Sequence, residues 1–157
     1  MAQAKKSWQE KLRDAKDLPK VVTLNKNAQI HWHGRIMAIP APIEIDQIMA
    51  SVPKGKLITI DLIRQKIAKK HKADIGCPLT CGIFTWIVAN AAEEAESEGK
   101  SKITPYWRTL KTGGEINPKY PGGVEKQVKL LRAEGHQVSQ KGKRWLVIGY
   151  EDKLLRL

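Results

Sequence analysis

The chain has 157 residues, of which 28 are Lys or Arg and 16 are Asp or Glu, so its net charge is +12. This length fits one domain, and the charge favours a polyanionic partner such as nucleic acid over an acidic one, although ribosomal and membrane-surface proteins share such a charge. No apolar run approaches the length that spans a bilayer, and the N-terminus lacks the apolar core of a signal peptide. We therefore expect a cytoplasmic protein with no membrane partner.

Two elements are predicted in the N-terminal part of the chain. Ser7 stands where a helix N-cap is expected, and apolar residues at helical spacing continue through Ala15, so an amphipathic helix should begin here and stop before Pro19. Residues 28–37 alternate between apolar and polar side chains, which is typical of a half-buried strand. Ile30 is expected to face inward.

The middle of the chain predicts three helices. Pro42 suits the first turn of a short helix that ends before Pro53. Thr59 can cap a second helix, and residues 73–76 form a turn before Pro78 opens a third helix. The last two form a helix-turn-helix or, in the alternative, two packed core helices with a solvated cationic face. The basic outward face of the second helix carries Lys66, Lys69, Lys70 and Lys72.

Two charged segments lie outside this pair of helices. The acidic residues 91–99 should continue the third helix and point away from DNA, with partner binding as the alternative. Residues 136–148 predict a hairpin with a basic turn. Lys141, Lys143 and Arg144 of this hairpin either contact phosphate in the manner of a wing or are solvated.

The segment 103–123 is the most informative part of the chain and reads ITPYWRTLKTGGEINPKYPGG. It resembles the reactive site of DNA alkyltransferases that repair alkylated guanine, where Pro-Cys-His-Arg-Val is followed by a glycine-containing turn and then by Tyr-Ser-Gly-Gly. The related alkyltransferase-like proteins carry Trp in place of the Cys and keep the His. Here Tyr106 and Trp107 stand at the Cys and His positions, so the chain departs from both groups. The other matching residues are Pro105, Arg108, Tyr120, Gly122 and Gly123.

The resemblance covers residues 52–135 and implies a fold. That fold is α+β, with a winged-helix-like helix-turn-helix domain of the alkyltransferase type and small β additions at the N- and C-terminal ends. We expect residues 1–51 to pack on this domain as a helix, a strand and a short helix. Residues 136–157 should add a hairpin and a tail, so that the three segments form one compact unit.

The resemblance also implies which residues meet DNA. The family's intercalating Arg corresponds to Gly82, its phosphate-rotating Tyr to Ile60 and its pocket Ser to Pro121, so base flipping would need substitute contacts. Tyr106 and Trp107 either stack on a base or fill the old pocket. The expected DNA-binding residues are Lys66, Lys69, Lys70, Lys72, Pro78, Thr80, Gly82 and Lys111. The expected pocket residues are Pro105, Tyr106, Trp107, Arg108, Tyr120, Gly122, Gly123 and Glu134.

No residue is expected to be catalytic. A phenol such as that of Tyr106 is mostly protonated at neutral pH and is a weaker nucleophile than a thiolate, and Glu134 lacks the His that it would orient. Cys77 and Cys81 should stay reduced in the cytoplasm, and their spacing does not make a four-ligand metal site. Neither a metal nor a cofactor is expected.

The predicted function is therefore non-catalytic binding of double-stranded DNA, with recognition of alkylated or otherwise modified bases for DNA repair. We expect a monomer, and a repair protein is a candidate partner. Two alternatives stay open. One is an enzyme, either by alkyl transfer to Cys77 or Cys81 or as an unrecognised hydrolase, and the other is a protein-interaction module with a filled pocket.

Overall fold

The computed structural model describes residues 5–156, and within them it contains α-helices and short strands in one α+β structure. The predicted mixed α+β class is therefore confirmed. The helices are α1 (Trp8–Arg13), α2 (Lys26–Trp32), α3 (Pro42–Ala50), α4 (Ile60–Lys70), α5 (Pro78–Ser97) and α6 (Gly123–Ala133). The strands are β1 (Lys20–Thr23), β2 (Ile36–Ile39), β3 (Ile58–Thr59), β4 (Ile75–Gly76), β5 (Thr109–Leu110), β6 (Val138–Lys141) and β7 (Arg144–Val147). Among the described helices, none has both the length and the apolar character needed to cross a membrane.

The strands form three small sheets within the described chain. In the first, β2 lies between β1 and β4, antiparallel to β1 and parallel to β4. In the second, β3 runs parallel to β5, which places the segment before α4 beside the 103–123 motif. In the third, β6 and β7 form the predicted C-terminal hairpin, with Val138 opposite Val147.

Two clusters of buried side chains make the core. The larger one joins α3, α4 and α5 through residues such as Ile45, Ile63 and Val88, and it includes Tyr106 of the motif. The smaller one joins the region around β3 and β5 to α6 and the hairpin, with Leu110 fully enclosed. Core residues thus come from all three expected segments. Residues 1–4 of the first segment lie outside the described residues.

The predicted strand over residues 28–37 is correct only for Ile36 and Met37, and it is wrong for the residues before them, most of which are helical. This part of the chain forms α2, because Asn25 caps it: the Asn25 Oδ1 accepts a hydrogen bond from the Ala28 N–H at 2.8 Å. The helix ends at His33, whose φ of 57° lies in the left-handed region. Ile30 points into solvent with 74% of its surface exposed, so its inward placement is also wrong. Only Ile36 onwards is extended.

The predicted helix-turn-helix is confirmed as α4, a turn and α5. The Thr59 Oγ1 accepts from the Leu62 N–H at 3.4 Å and caps α4 as expected. Pro78 is the first residue of α5. Gly76 fits tightly between the two helices, because a Cβ there would come within 2.4 Å of the Arg64 carbonyl oxygen. A side chain at this position would push the backbone of α4 at Arg64 away from β4.

The first helix and the acidic segment interact with each other. The helix α1 is capped by Ser7 as predicted, but it ends at Arg13, before Ala15 and well before Pro19. The helix α5 continues through the acidic segment, and its Glu94 carboxylate accepts from the Trp8 N–H at 3.1 Å and the Gln9 N–H at 3.2 Å. The acidic segment therefore holds the start of α1 by satisfying its free amides.

Candidate nucleic-acid interface

The motif residue that the sequence resemblance aligns with a reactive Cys is deep in the core. Tyr106 begins a 3₁₀ turn and is only 1% exposed. Its ring meets those of Trp107 and Tyr120 edge-on, with centroids 5.5 Å and 5.7 Å away. Burial raises the pKa of the Tyr106 hydroxyl, which has no hydrogen-bond partner among the described residues. In this arrangement the ring of Tyr106 fills the interior and offers neither a nucleophile nor a free face for a base.

The neighbouring Arg108 joins the motif to α6 and to the end of α3. Its Nε donates to the Glu134 Oε1 at 2.9 Å, and its Nη2 donates to the Glu134 Oε2 at 2.6 Å. A third bond runs from Nη1 to the Val52 carbonyl oxygen at 2.6 Å. Burial alone would raise the pKa of Glu134, but the bonds from Arg108 outweigh it and hold that pKa below its usual value. Glu134 is therefore the acidic partner of Arg108 in an ion pair, and not a carboxylate that orients a His.

A small pocket opens between α5, β5 and the loop before α6, and we call it the Tyr120 pocket. Its volume is about 250 Å³, which is ample for one nucleobase. Ile60 and Gly82, the positions that match the family's Tyr and Arg, both line it. Thr109 is also among the lining residues, and its buried Oγ1 has no hydrogen-bond partner within residues 5–156. This hydroxyl therefore keeps an unmet capacity for a hydrogen bond next to the pocket.

The buried side-chain amide of Gln127 helps to hold the loop that forms one wall of the Tyr120 pocket. The Gln127 Oε1 accepts from the Asn117 N–H at 3.2 Å, and the Gln127 Nε2 donates to the Trp107 carbonyl oxygen at 3.2 Å. Gln127 is 1% exposed, so these bonds are shielded from water. The wall of the pocket and the motif strand are therefore fixed to the same helix.

The outer face of α5 is apolar, which is unusual for a surface helix. Leu79, Ile83 and Trp86 recur at helical spacing and are 70%, 43% and 39% exposed. They line a groove of about 510 Å³, here called the α5 groove, together with Pro78, Pro118 and the exposed Lys111 and Lys119. Gly82, Lys111 and Asn117 line both the α5 groove and the Tyr120 pocket. The two depressions are thus adjacent.

The predicted DNA-binding lysines divide into two places. Lys111 lies in the wall of both depressions, whereas Lys66, Lys69, Lys70 and Lys72 lie in or after the second half of α4, and none of these four lines either depression. At the other end of α4, Ile60 lines the Tyr120 pocket, so Lys69 is about 14 Å away along the helix axis. Lys70 is bound to the buried Glu44, with 2.6 Å between Nζ and Oε2.

The remaining predicted residues belong to the surroundings of the two depressions. Pro78 lines the α5 groove, while the Thr80 Oγ1 is buried without a partner in the described chain. Gly122 and Gly123 have φ values of 83° and 68° and form the turn into α6. A Cβ on Gly122 would come within 2.5 Å of the Lys126 side chain, so this turn requires glycine. Pro105, which belongs to the motif, is buried.

Both thiols are enclosed. Cys81 is fully buried in α5, and burial raises its pKa to about 12. Cys77 is at the N-cap of α5 and is also buried. Within residues 5–156, no group of three His, Cys, Asp or Glu side chains is arranged to hold a metal ion. The structure therefore offers no accessible thiolate for alkyl transfer.

Sequence reasoning missed three residues of this surface: Thr109, Asn117 and Lys119. Thr109 stands where the family motif has Val, and that difference was a signal for a polar wall. Lys119 lies directly before the Tyr-Pro-Gly-Gly turn and lines the α5 groove opposite Leu79 and Ile83. Lys119 and Lys111 line the same groove, and the sequence alone does not show that the loop brings them to one place.

No family model and no curated protein matches the chain. Two solved structures are similar to it: S. pombe Atl1 in complex with damaged DNA containing O6-carboxymethylguanine, and S. pombe ATL in complex with DNA. The first is 15% identical with a TM-score of 0.49, and the similarity covers 74% of this chain and 94% of that chain. The second is 14% identical with a TM-score of 0.47 over the same shares. These values are too low to carry the function of either protein over to this chain.

Proposed function

We propose that this protein binds double-stranded DNA without modifying it, as a cytoplasmic monomer, and that the Tyr120 pocket receives a modified base. The observation that carries this proposal is the pocket itself. It brings Ile60, Gly82, Thr109 and Tyr120 together beside the exposed face of α5. The resemblance of residues 103–123 to the alkyltransferase motif supports the same assignment.

The lysines that line the pocket and the adjacent groove favour DNA, while the one carboxylate of the described pocket lining, Glu115, is paired with Arg144 at 3.3 Å between Oε2 and Nε. Lys111 and Lys119 are exposed where α5 would approach a duplex, and the net charge is +12. Lysines that contact phosphates release counterions, so the affinity should fall steeply as salt is added. Lys69 and Lys72 lie far enough from the pocket to meet phosphates several base pairs away.

The chemistry of the site supports binding over reaction. Tyr106 is buried at the nucleophile position with a raised pKa, and both Cys77 and Cys81 are enclosed. Thr109 and Asn117 provide polar groups that can donate to or accept from a base edge. We therefore place base recognition at the Tyr120 pocket and assign no group-transfer step to the protein.

The test is fluorescence anisotropy with two matched duplexes, one of which carries a single alkylated guanine, over a salt series. The parent protein should bind both and prefer the modified duplex. The variant Lys111→Ala/Lys119→Ala should weaken binding to both and reduce the salt slope by about 2, since each phosphate contact contributes about 0.9. The control Lys26→Ala/Lys129→Ala removes the same charge from exposed residues outside both depressions and should keep the slope.

A second variant separates base recognition from general binding. Thr109→Val keeps the shape of the side chain and removes only a hydroxyl that has no protein partner, so the fold should be unaffected. The preference for the modified duplex should fall, while the affinity for the unmodified duplex should stay. Equal affinity of the parent protein for both duplexes would leave a general DNA binder. No binding to either duplex would contradict the proposal.

A further inference from the structure

The apolar face of α5 has no function in the site described so far. Leu79 is 70% exposed and Ile83 is 43% exposed, one turn apart on the same side of the helix. Trp86, one turn further, is fixed by an edge-on contact with Trp8, with 4.8 Å between the ring centroids. Leu79 and Ile83 share the α5 groove with Gly82, which also lines the adjacent Tyr120 pocket.

The surroundings of this face indicate its partner. The charged residues that line the α5 groove are Lys111 and Lys119, and the described lining contains no carboxylate. The groove therefore combines an apolar strip with neighbouring positive charges. Its complement is a surface with negative charges at the edges and a flat apolar interior. Stacked base pairs between two phosphate backbones have this arrangement, and apolar side chains in the minor groove insert between base steps.

The position of the face relative to the pocket supplies the second reason. Gly82 lines both the α5 groove and the Tyr120 pocket, and a Cβ there would meet nothing within 4 Å, so the helix is bare at that point. When a base leaves the stack, the gap must be filled or the unstacking costs a few kcal/mol. Leu79 and Ile83 are the exposed side chains on either side of Gly82.

We propose that Leu79, supported by Ile83, is an apolar wedge that enters the base stack of duplex DNA next to the base held in the Tyr120 pocket. This inference rests on the proposed function. It assigns to two aliphatic side chains the task of filling the gap, and it requires the duplex to be locally unstacked and bent when bound. Because no charge is involved, the wedge contributes to affinity independently of salt.

The test uses the full chain and a duplex with the fluorescent base 2-aminopurine next to a single alkylated guanine. Binding of the parent protein should raise the 2-aminopurine fluorescence, which reports unstacking. Leu79→Ala should abolish most of this rise and weaken binding about tenfold, with an unchanged salt slope, because an apolar contact and no charge is lost. Leu79→Met should retain the rise, since the wedge needs an apolar group of similar length.

The control is Ile30→Ala, which truncates an equally exposed aliphatic side chain on α2 and should change neither signal. Circular dichroism should show that each variant is folded, as expected for exposed positions.

If Leu79→Ala binds and unstacks the duplex like the parent protein, the wedge is wrong while DNA binding stands. If it weakens binding without changing the fluorescence, the side chain makes a surface contact and the wedge is again wrong. If the parent protein binds no duplex, the proposed function fails first, and a protein segment becomes the better occupant of the groove.

Discussion

Arg108 and Glu134 form a two-point ion pair between the motif and the end of α6, with donor–acceptor distances of 2.9 Å and 2.6 Å. The side chains are 13% and 8% exposed, so the pair is largely shielded from water. In a site without a nucleophile, this pair has the structural task of fixing the motif to the helix behind it.

Breaking this pair should destabilise the protein. Arg108→Ala leaves the Glu134 carboxylate buried without its partner, and we expect the free energy of unfolding to fall by about 3 kcal/mol. The double variant Arg108→Met/Glu134→Leu removes both charges and should lose less than the sum of the single changes. Urea denaturation of the parent protein, Arg108→Met, Glu134→Leu and the double variant measures the coupling. If the losses of the two single variants add up to the loss of the double variant, the two side chains are not coupled and their ion pair contributes nothing to the free energy of unfolding.

Removing the Tyr106 hydroxyl should leave the fold intact or stabilise it slightly. This hydroxyl is buried and unpaired, so Tyr106→Phe removes an unsatisfied polar group and keeps the ring contacts with Trp107 and Tyr120. Tyr106→Ala should instead cost about 3 to 5 kcal/mol, because it leaves a cavity in the core. Urea denaturation compares the two variants. A loss above about 1 kcal/mol for Tyr106→Phe would mean that the hydroxyl is hydrogen-bonded after all.

Neither thiol should react in the folded protein. Cys81 is fully buried with a pKa raised to about 12, and Cys77 is buried at the start of α5. A colorimetric disulfide reagent should detect no thiol under native conditions and both after unfolding in urea. Mass spectrometry after incubation with alkylated DNA should find no added alkyl group. A thiol that reacts before unfolding, or a labelled cysteine peptide, would restore the enzyme hypothesis.

The contact between Glu94 and α1 should hold the first helix in place. Glu94→Ala removes the acceptor of the Trp8 and Gln9 amides, and the free energy of unfolding should fall by about 1 kcal/mol, as for the loss of other helix caps. The helix α1 should also become easier to cleave by protease. Glu151→Ala removes an exposed carboxylate elsewhere and should change neither property. Equal behaviour of the two variants would contradict the capping role.

Stability should fall as the pH drops through the titration range of histidine. His136 is 7% exposed, and burial lowers its pKa below the usual 6.5 despite the nearby Glu134. The unfolded chain therefore binds a proton at this residue first, so the stabilising contribution is complete above pH 6.5 and is lost as the pH falls towards the lowered pKa of the folded state.

The variant His136→Gln tests this dependence. Its free energy of unfolding should change less with pH just below 6.5 than that of the parent protein. His31→Gln, which removes a histidine from the surface of α2, is the matched control and should preserve the parent profile. The same pH slope in the parent protein and in His136→Gln would show that other groups cause the loss.

Local signals in the sequence were enough for the elements with clear ends. Thr59 and Pro78 mark the starts of α4 and α5, and both predictions are confirmed because caps and first-turn prolines act within a few residues. The strand over residues 28–37 failed for a related reason. Its alternation of apolar and polar residues suited a strand, but the cap at Asn25 started a helix and left Ile30 in solvent.

The sequence by itself determined the charge and the helix-turn-helix, because each depends on residue identity or on neighbours along the chain. Only the tertiary structure decided that Tyr106 fills the core, that Glu134 pairs with Arg108, and that Thr109 lines a pocket beside Gly82. These outcomes depend on which side chains meet from distant segments, and packing in a dense interior fixes that choice.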